Sequence, residues 1–296
     1  MNITDCFLEN GIKVTENVDT SKISSIKTGG CVRYGVYPES IGGLIKSVKI
    51  CRLLDMKFKL IGGCTNTFFK DDSSDSAVIF TTKLGDNKIC DGYARIDCGC
   101  SLSKILKSAA DKNLEISNAL FGIPGTVGGA MRNNAGAFDS EIGQTFIEGL
   151  FLNIETLEVV SLDRSDMMFG YRSSLLMKEP LIFLQGNFKT KSKERDLCVS
   201  DFKKYTKKRK ATQPNLPSLG SFFKRSDGII PAELIDKAGL KNYRINGAAI
   251  SDKHAGFIVN LGNATSTDVD KLAGYVEERV KDLYNVTLQR EAELVQ

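Results

Sequence analysis

Residues Phe121–Ile142 read FGIPGTVGGAMRNNAGAFDSEI. Glycines at 122, 125, 128, 129 and 136, with Pro124 among them, leave a length of main chain nearly bare of Cβ atoms between apolar flanks. Such a backbone can bring its N–H groups close against a ligand. Several N–H groups turned into one concavity form an anion nest, and phosphate is its usual guest. Upstream, Leu60-Ile-Gly-Gly-Cys-Thr-Asn66 uses the same device: an apolar run breaks into a Gly-Gly turn followed by small polar residues. Two such loops point to a ligand with a long phosphate-bearing body held between them.

The familiar cradles do not fit. No Gly-Lys-Ser/Thr follows the glycines, so this is not a Walker loop. The spacing G-x-x-G-x-x-G-G is not the dinucleotide fingerprint, and no acidic residue stands about 20 residues on in the right context. A Ser-His-Asp hydrolase would have to use His254, and no nucleophile elbow precedes it.

At 296 residues the chain has room for two or three domains and a full core. Its net charge of +4 is mild and does not by itself argue for nucleic acid. The basic run Lys203–Lys210 reads as a connector helix with a solvated face, because Phe202 and Tyr205 stand at i and i+3 as a packing stripe requires. Eight scattered cysteines include one C-x-C, Cys98 and Cys100, and the chain has one histidine. Free thiols fit that usage better than a zinc site. No signal-peptide pattern opens the sequence, and no apolar run approaches the ~20 residues that span a bilayer. The expectation is a cytoplasmic protein with neither a membrane nor a nucleic-acid partner.

Periodicity places the elements. Ser40 caps a helix with Ile41, Leu44, Ile45, Val48 and Leu53 as its stripe, followed by a strand at Phe58–Ile61. Strands are expected at 77–81 and 94–97, and Ser101 caps a helix bearing Leu102, Ile105, Leu106 and Ala109. Residues 147–154 and 157–161 read as an antiparallel pair, and 180–189 as a further strand. A Pro-bearing hinge at 211–220 leads to a short helix with Pro231 in its first turn and Gly239 past its end. A strand at 256–260 precedes a long helix facing inward with Val269, Leu272, Val276, Val280 and Leu283. Thr267 and Asp270 resemble its capping box, and a last strand covers 286–288. Domain boundaries are expected at 1–82, 83–200 and 201–296.

These loops, with the segments downstream, closely resemble the enolpyruvyl-UDP-N-acetylglucosamine reductases of bacterial cell-wall synthesis. Ile61-Gly-Gly-Cys-Thr-Asn66 is similar to the family's L-G-G-G-S-N loop. Gly122-Ile-Pro-Gly-Thr-Val-Gly-Gly129 with Asn134-Ala-Gly136 resembles G-I-P-G-S-V-G-G followed by N-A-G. Gly170-Tyr-Arg-Ser-Ser174 matches Y-R-x-S, and Gln213-Pro214 with Pro217-Ser-Leu-Gly-Ser-Phe-Phe-Lys-Arg225 resembles Q-P and P-S-A-G-S-x-F-K-R. Ala232–Leu240 and Ala248–Asn260 resemble the substrate-domain signatures. The likeness runs from about residue 20 to the C-terminus, in order.

The resemblance implies an α+β architecture. A vanillyl-alcohol-oxidase-type (PCMH-type) FAD domain in two α+β halves precedes a C-terminal α+β substrate domain, in the family's compact form. It implies non-covalent FAD, NADPH as hydride donor, a nucleotide-sugar substrate and a monomer. Residues Gly62, Gly63, Cys64, Thr65, Asn66, Gly122, Ile123, Pro124, Gly125, Thr126, Gly128, Gly129, Asn134, Ala135 and Gly136 would hold the cofactor. Tyr171, Arg172, Lys224 and Arg225 would bind substrate. Reducing a vinyl ether that bears a carboxylate builds negative charge on its α-carbon, so a proton donor and charge-holding groups are required. By motif position Ser221 is the donor, Arg172 pairs with the substrate carboxylate in the two-pronged manner of a guanidinium, and Glu291 is the third catalytic residue. The chain departs from the family at Cys64, Arg132, Ser226 and Glu293, the last standing where an arginine is usual.

Two other readings are open to the sequence. A sugar or hydroxy-acid oxidase on the same FAD scaffold would need no Ser221 donor. A basic nucleic-acid-binding protein using Lys203–Lys210 would be colourless and salt-sensitive.

Overall fold

The structure, a computed structural model, describes residues 2–226 and 228–295. Two compact units divide the chain. The first comprises residues up to Glu16, Tyr34–Gly63 and Asp75–Lys207, and the second Asn17–Arg33, Cys64–Ser74 and the residues from Lys208 on.

The first unit holds two sheets. One orders the strands Lys13–Asp19, Cys31–Tyr37, Ser74–Phe80 and Phe58–Ile61, with the last two parallel. Helix α1 (Ile3–Leu8) and helix α2 (Ile41–Leu53) belong to this half. Ser40 caps α2 as expected, its Oγ accepting the Gly43 N–H at 3.0 Å. The buried stripe of α2 is Leu44, Val48, Ile50 and Cys51; Leu53 is 83% exposed, because the last turn runs past the sheet. The second sheet is antiparallel, ordered Val159–Asp163, Phe146–Asn153, Leu181–Lys189, Tyr93–Asp97 and Asn87–Ile89. Phe146 lies at its centre with Phe151, Phe169, Phe183 and Phe188 around it at centroid distances of 5.6–6.4 Å. Burying each such ring stabilises the unit by roughly 1.5–3 kcal/mol relative to exposure. Helix α3 (Leu102–Ala110) buries Leu102, Ile105, Leu106 and Ala109, as the pattern required. Ser101 is its N-cap residue but makes no side-chain cap bond; instead it bridges to Thr126 through the main chain. Helix α4 (Val127–Arg132) lies inside the glycine-rich stretch, and α5 (Arg195–Thr212) carries the basic run. Phe202 stacks on Phe121 at 4.0 Å and Tyr205 on Phe138 at 4.9 Å, so α5 clamps both sides of that stretch.

The second unit packs α6 (Pro231–Lys237) and α7 (Ser266–Tyr284) on an antiparallel sheet of Arg244–Ile245, Ala248–Ile250 and Ile258–Asn260. Val269, Leu272, Val276 and Val280 are fully buried, whereas Leu283 is 44% exposed in the last turn. The capping box lies two residues earlier than expected. Thr265 Oγ1 accepts the Asp268 N–H at 3.1 Å, and Asp268 accepts the Thr265 N–H at 2.9 Å. Thr267 instead donates to Asp71, which also accepts the Ser266 N–H at 2.7 Å. Residues 286–288 form no strand. The terminal strand is Glu293–Val295, parallel to Thr67–Phe69. That pairing and the Asp71 contacts are what draw Cys64–Ser74 into the second unit.

Candidate active site

In the first unit the two glycine loops meet. A Cβ on Gly62 would overlap the Thr126 hydroxyl, so only glycine permits this approach. Thr126 caps α4, its Oγ1 accepting the Gly129 N–H at 3.4 Å. Val127 N–H donates to the Cys100 carbonyl at 2.9 Å and Gly128 N–H to the Cys98 carbonyl at 2.7 Å, which lock the first turn of α4 to the end of the Tyr93–Asp97 strand. Gly125 sits at φ +123°, a conformation side chains rarely adopt, and its carbonyl accepts the Leu102 N–H at 3.1 Å. Gly122 N–H donates to Ser103 Oγ at 3.1 Å and Ile123 N–H to the Leu120 carbonyl at 3.1 Å. Gly122, Ile123 and Gly128 therefore spend their N–H groups inside the protein and form the frame of the cradle. A bare, internally braced backbone where two Cβ-free loops touch fits the diphosphate of a dinucleotide such as FAD.

The second constellation in this unit joins Asn134-Ala135-Gly136 to the Gly170–Ser174 turn. Asn134 is fully buried at φ +41°. Its Nδ2 donates to Glu141 Oε2 at 2.8 Å and to the Gly170 carbonyl at 2.9 Å, and its Oδ1 accepts the Gly143 N–H at 3.1 Å. Arg172 returns the tie, with Nη2 donating to the Gly136 carbonyl at 3.0 Å. Its guanidinium lies 5.1 Å over the ring of Tyr171, which is half exposed. Arg172 has φ +50°, a strained conformation for a non-glycine residue of the kind that clusters at functional sites. Ser174 is fully buried and donates to the Arg132 carbonyl at 2.8 Å, closing the turn onto α4.

In the second unit Ser221 is an exposed hydroxyl on a pinned segment. Leu219, Phe222 and Phe223 beside it are buried, and Gly220 turns the chain at φ +78°. Phe222 N–H donates to the Gly256 carbonyl and Glu291 N–H to the Phe222 carbonyl, both at 2.8 Å. Lys224 N–H donates to the Gln289 carbonyl at 2.8 Å, and Phe223 bridges Arg290 antiparallel. Residues 222–224 thus pair with 289–291, which sets Glu291 opposite Phe222, one residue along from Ser221. Asn66 joins them: its Nδ2 donates to the Glu291 carbonyl and its own carbonyl accepts the Glu293 N–H, both at 2.9 Å.

Electrostatics separate the reactive groups from the inert ones. Cys64, at φ +50°, is buried and its thiol points at the Thr67 carbonyl, 3.2 Å away. Burial pushes that thiol up to about 12, so it is no nucleophile near neutrality. His254 is held below the ordinary imidazole range, first by burial. Its Nδ1 accepts the Gly256 N–H at 3.1 Å and its ring packs on Phe257 at 4.8 Å, a structural role beneath the Ser221 segment. Sequence reading gave no role to Glu141 and Arg290, and met Ser174 only as the serine of Y-R-x-S. Arg290 is bound to Glu277 at 2.6 and 3.0 Å and to Asp270 on α7. The forward signal for Glu141 is an acid seven residues beyond Asn134.

A family model described as the C-terminal domain of UDP-N-acetylenolpyruvoylglucosamine reductase matches residues 213–295, and one described as an FAD binding domain matches 32–161. The UDP-N-acetylenolpyruvoylglucosamine reductase of Caldicellulosiruptor saccharolyticus is 39% identical over 275 residues, covering 92% of this chain and 88% of its own. That of Thermotoga maritima is 37% identical over 273 residues, covering 92% and 95%. The crystal structure of UDP-N-acetylenolpyruvylglucosamine reductase from Thermus caldophilus aligns with TM-score 0.81 at 26% identity, over 96% of this chain and 100% of that one. A berberine bridge enzyme variant, a reticuline dehydrogenase, aligns with TM-score 0.51 at 13% identity over 66% of this chain and 44% of its own, and shares the fold alone.

Proposed function

The chain belongs to the UDP-N-acetylenolpyruvoylglucosamine reductase family and has its α+β FAD-binding fold, and from that premise we propose that Ser221, Glu291 and Arg172 carry an NADPH-dependent reduction of enolpyruvyl-UDP-N-acetylglucosamine to UDP-N-acetylmuramate. FAD supplies, when bound, the relay of a hydride from the nicotinamide to the β-carbon of the enolpyruvyl group. The α-carbon then needs one proton to complete the two-electron reduction. Ser221 Oγ–H gives it, downhill, because the developing carbanion is far more basic than an alkoxide held beside cations. Lys224 and Arg225 follow Ser221 on the same segment and supply positive charge for the nucleotide sugar. Arg172, with its plane set by the Gly136 carbonyl and the Tyr171 ring, takes the substrate carboxylate two-pronged. Glu291 assists protonation of the carboxylate-derived enol. The loops around Gly62, Gly63, Gly125, Thr126 and Gly129 would hold the cofactor's diphosphate.

The observation that supports this reading is the antiparallel pairing of 222–224 with 289–291, which holds the main chain at the exposed Ser221 and at Glu291 on one support. The test is anaerobic. NADPH should bleach the yellow protein, and enolpyruvyl-UDP-N-acetylglucosamine should restore the colour far faster than air does. Reoxidation by air alone would favour the oxidase chemistry of the same scaffold. The reading takes the protein for a cytoplasmic monomer, and sedimentation checks the assembly.

A further inference from the structure

We infer that Asn66 is a positioning residue for Glu291, so that the loop expected only to cradle the cofactor also sets the catalytic carboxylate. The inference rests on the role given to Glu291 above. One residue makes two hydrogen bonds that bracket Glu291: Asn66 Nδ2 to the Glu291 carbonyl, and Glu293 N–H to the Asn66 carbonyl, both at 2.9 Å. On the other edge the Glu291 N–H is held by Phe222, next to Ser221, at 2.8 Å. The main chain at 291 is thus gripped from both sides, by Asn66 and by the serine-bearing segment. Beyond it Glu293–Val295 runs parallel to Thr67–Phe69, so the grip continues as a strand pair.

The chemistry of the side chain suits this role. The Glu291 carbonyl needs a donor, and Nδ2 is the donor that Asn66 has. One of the two Nδ2 hydrogens is thereby committed to the main chain at 291, which fixes the plane of the Asn66 amide. Without the amide, the Glu291 carbonyl loses its anchor and the carboxylate is free to shift. A misplacement of about 1 Å is enough to cost on the order of 10²-fold in rate.

The experiment uses the full-length flavoprotein with Asn66→Ala and Asn66→Asp, followed by stopped-flow of each half-reaction. The expected result, read on the flavin-loaded fraction of each variant, is that reoxidation by saturating enolpyruvyl substrate slows by about 10²-fold more than reduction by NADPH does. The double variant Asn66→Asp/Glu291→Gln should be no slower than Glu291→Gln, the sign of two residues acting as one unit. Should Asn66→Ala not fold, Asn66→Asp carries the test, since it keeps the size and removes the donor. Loss of flavin with the remaining holoenzyme reoxidising normally would overturn the inference and return Asn66 to the cofactor. So would a slow Glu291→Gln beside an Asn66→Asp that reoxidises at the wild-type rate. A Glu291→Gln that itself reoxidises normally would instead bring down the role of Glu291 and this inference with it.

Discussion

Replacing Asn134 by aspartate changes one atom in a fully buried site and reverses its hydrogen-bond polarity. Asn134 Nδ2 now serves both the Glu141 carboxylate, at 2.8 Å, and the Gly170 carbonyl, at 2.9 Å. A protonated carboxyl in its place has a single O–H and can satisfy only one of them, so one buried acceptor is orphaned at a cost of about 1–3 kcal/mol. Ionising it costs more, because burial and the facing carboxylate both oppose a second negative charge. A fully buried carboxyl rises by up to about 3–5 units, and each unit is worth about 1.4 kcal/mol. The folded-state value therefore lies above the unfolded value of about 3.9. Below that the ionisation penalty is absent, and it grows as pH rises until the folded-state value is passed, reaching about 4 kcal/mol near neutrality. Urea denaturation of wild type and Asn134→Asp across a pH series from about 5 to 8 checks this, and the gap between them should widen steadily. Because the same amide holds Gly170, the Tyr171–Arg172 turn should loosen and KM for the carboxylate-bearing substrate should rise. A gap that stays constant with pH would refute the reasoning.

Arg290→Met should remove the fork to Glu277 and the bond to Asp270, lowering stability by about 1–3 kcal/mol at this partly exposed site; thermal denaturation measures it, and Arg290→Lys should restore part. For Asp71, burial works against the charge, but the Ser266 and Thr267 N–H and hydroxyl bonds outweigh it and hold the carboxyl below its ordinary value. Its stabilisation is present above the unfolded value of about 3.9 and is lost as pH falls through the lower folded one. Asp71→Asn should cost about 1 kcal/mol near neutrality and flatten the acid limb of the stability profile. Because its thiol titrates only at about 12, Cys64 should resist iodoacetamide near neutrality in the folded protein, and acid denaturation should release all flavin into the supernatant.

Much of the fold was legible because it is locally written. The stripes Leu44–Val48 and Val269–Val280 are periodic signals, and both face the core. The glycine cradle was legible for the same reason: close approach at Gly62 and Gly128 and positive φ at Gly122 and Gly125 account for most of its missing Cβ atoms. What failed depended on distant partners. Thr265 and Thr267 each have an aspartate three residues on, so the sequence offers two equal capping boxes. Asp71, 196 residues away, captures Thr267 and settles the choice. Residues 286–288 alternate as a strand should, yet the pairing falls on Glu293–Val295 because Thr67–Phe69 lies there. Leu53 and Leu283 keep the helical period but fall in last turns that outrun the core. The constellations were half visible. Motif order pointed to Asn134, Arg172 and Ser221, but nothing near Asn66 in sequence announces a bond to residue 291.

The most direct test is to split the cycle of the Ser221→Ala flavoprotein under anaerobic stopped-flow. Hydride transfer from NADPH requires no proton from residue 221, so bleaching of the flavin should proceed as in wild type. Recovery of absorbance on adding enolpyruvyl-UDP-N-acetylglucosamine should all but vanish. Recovery at the wild-type rate would contradict the assignment of the proton to Ser221, and failure of both steps in a folded, yellow protein would contradict it as well.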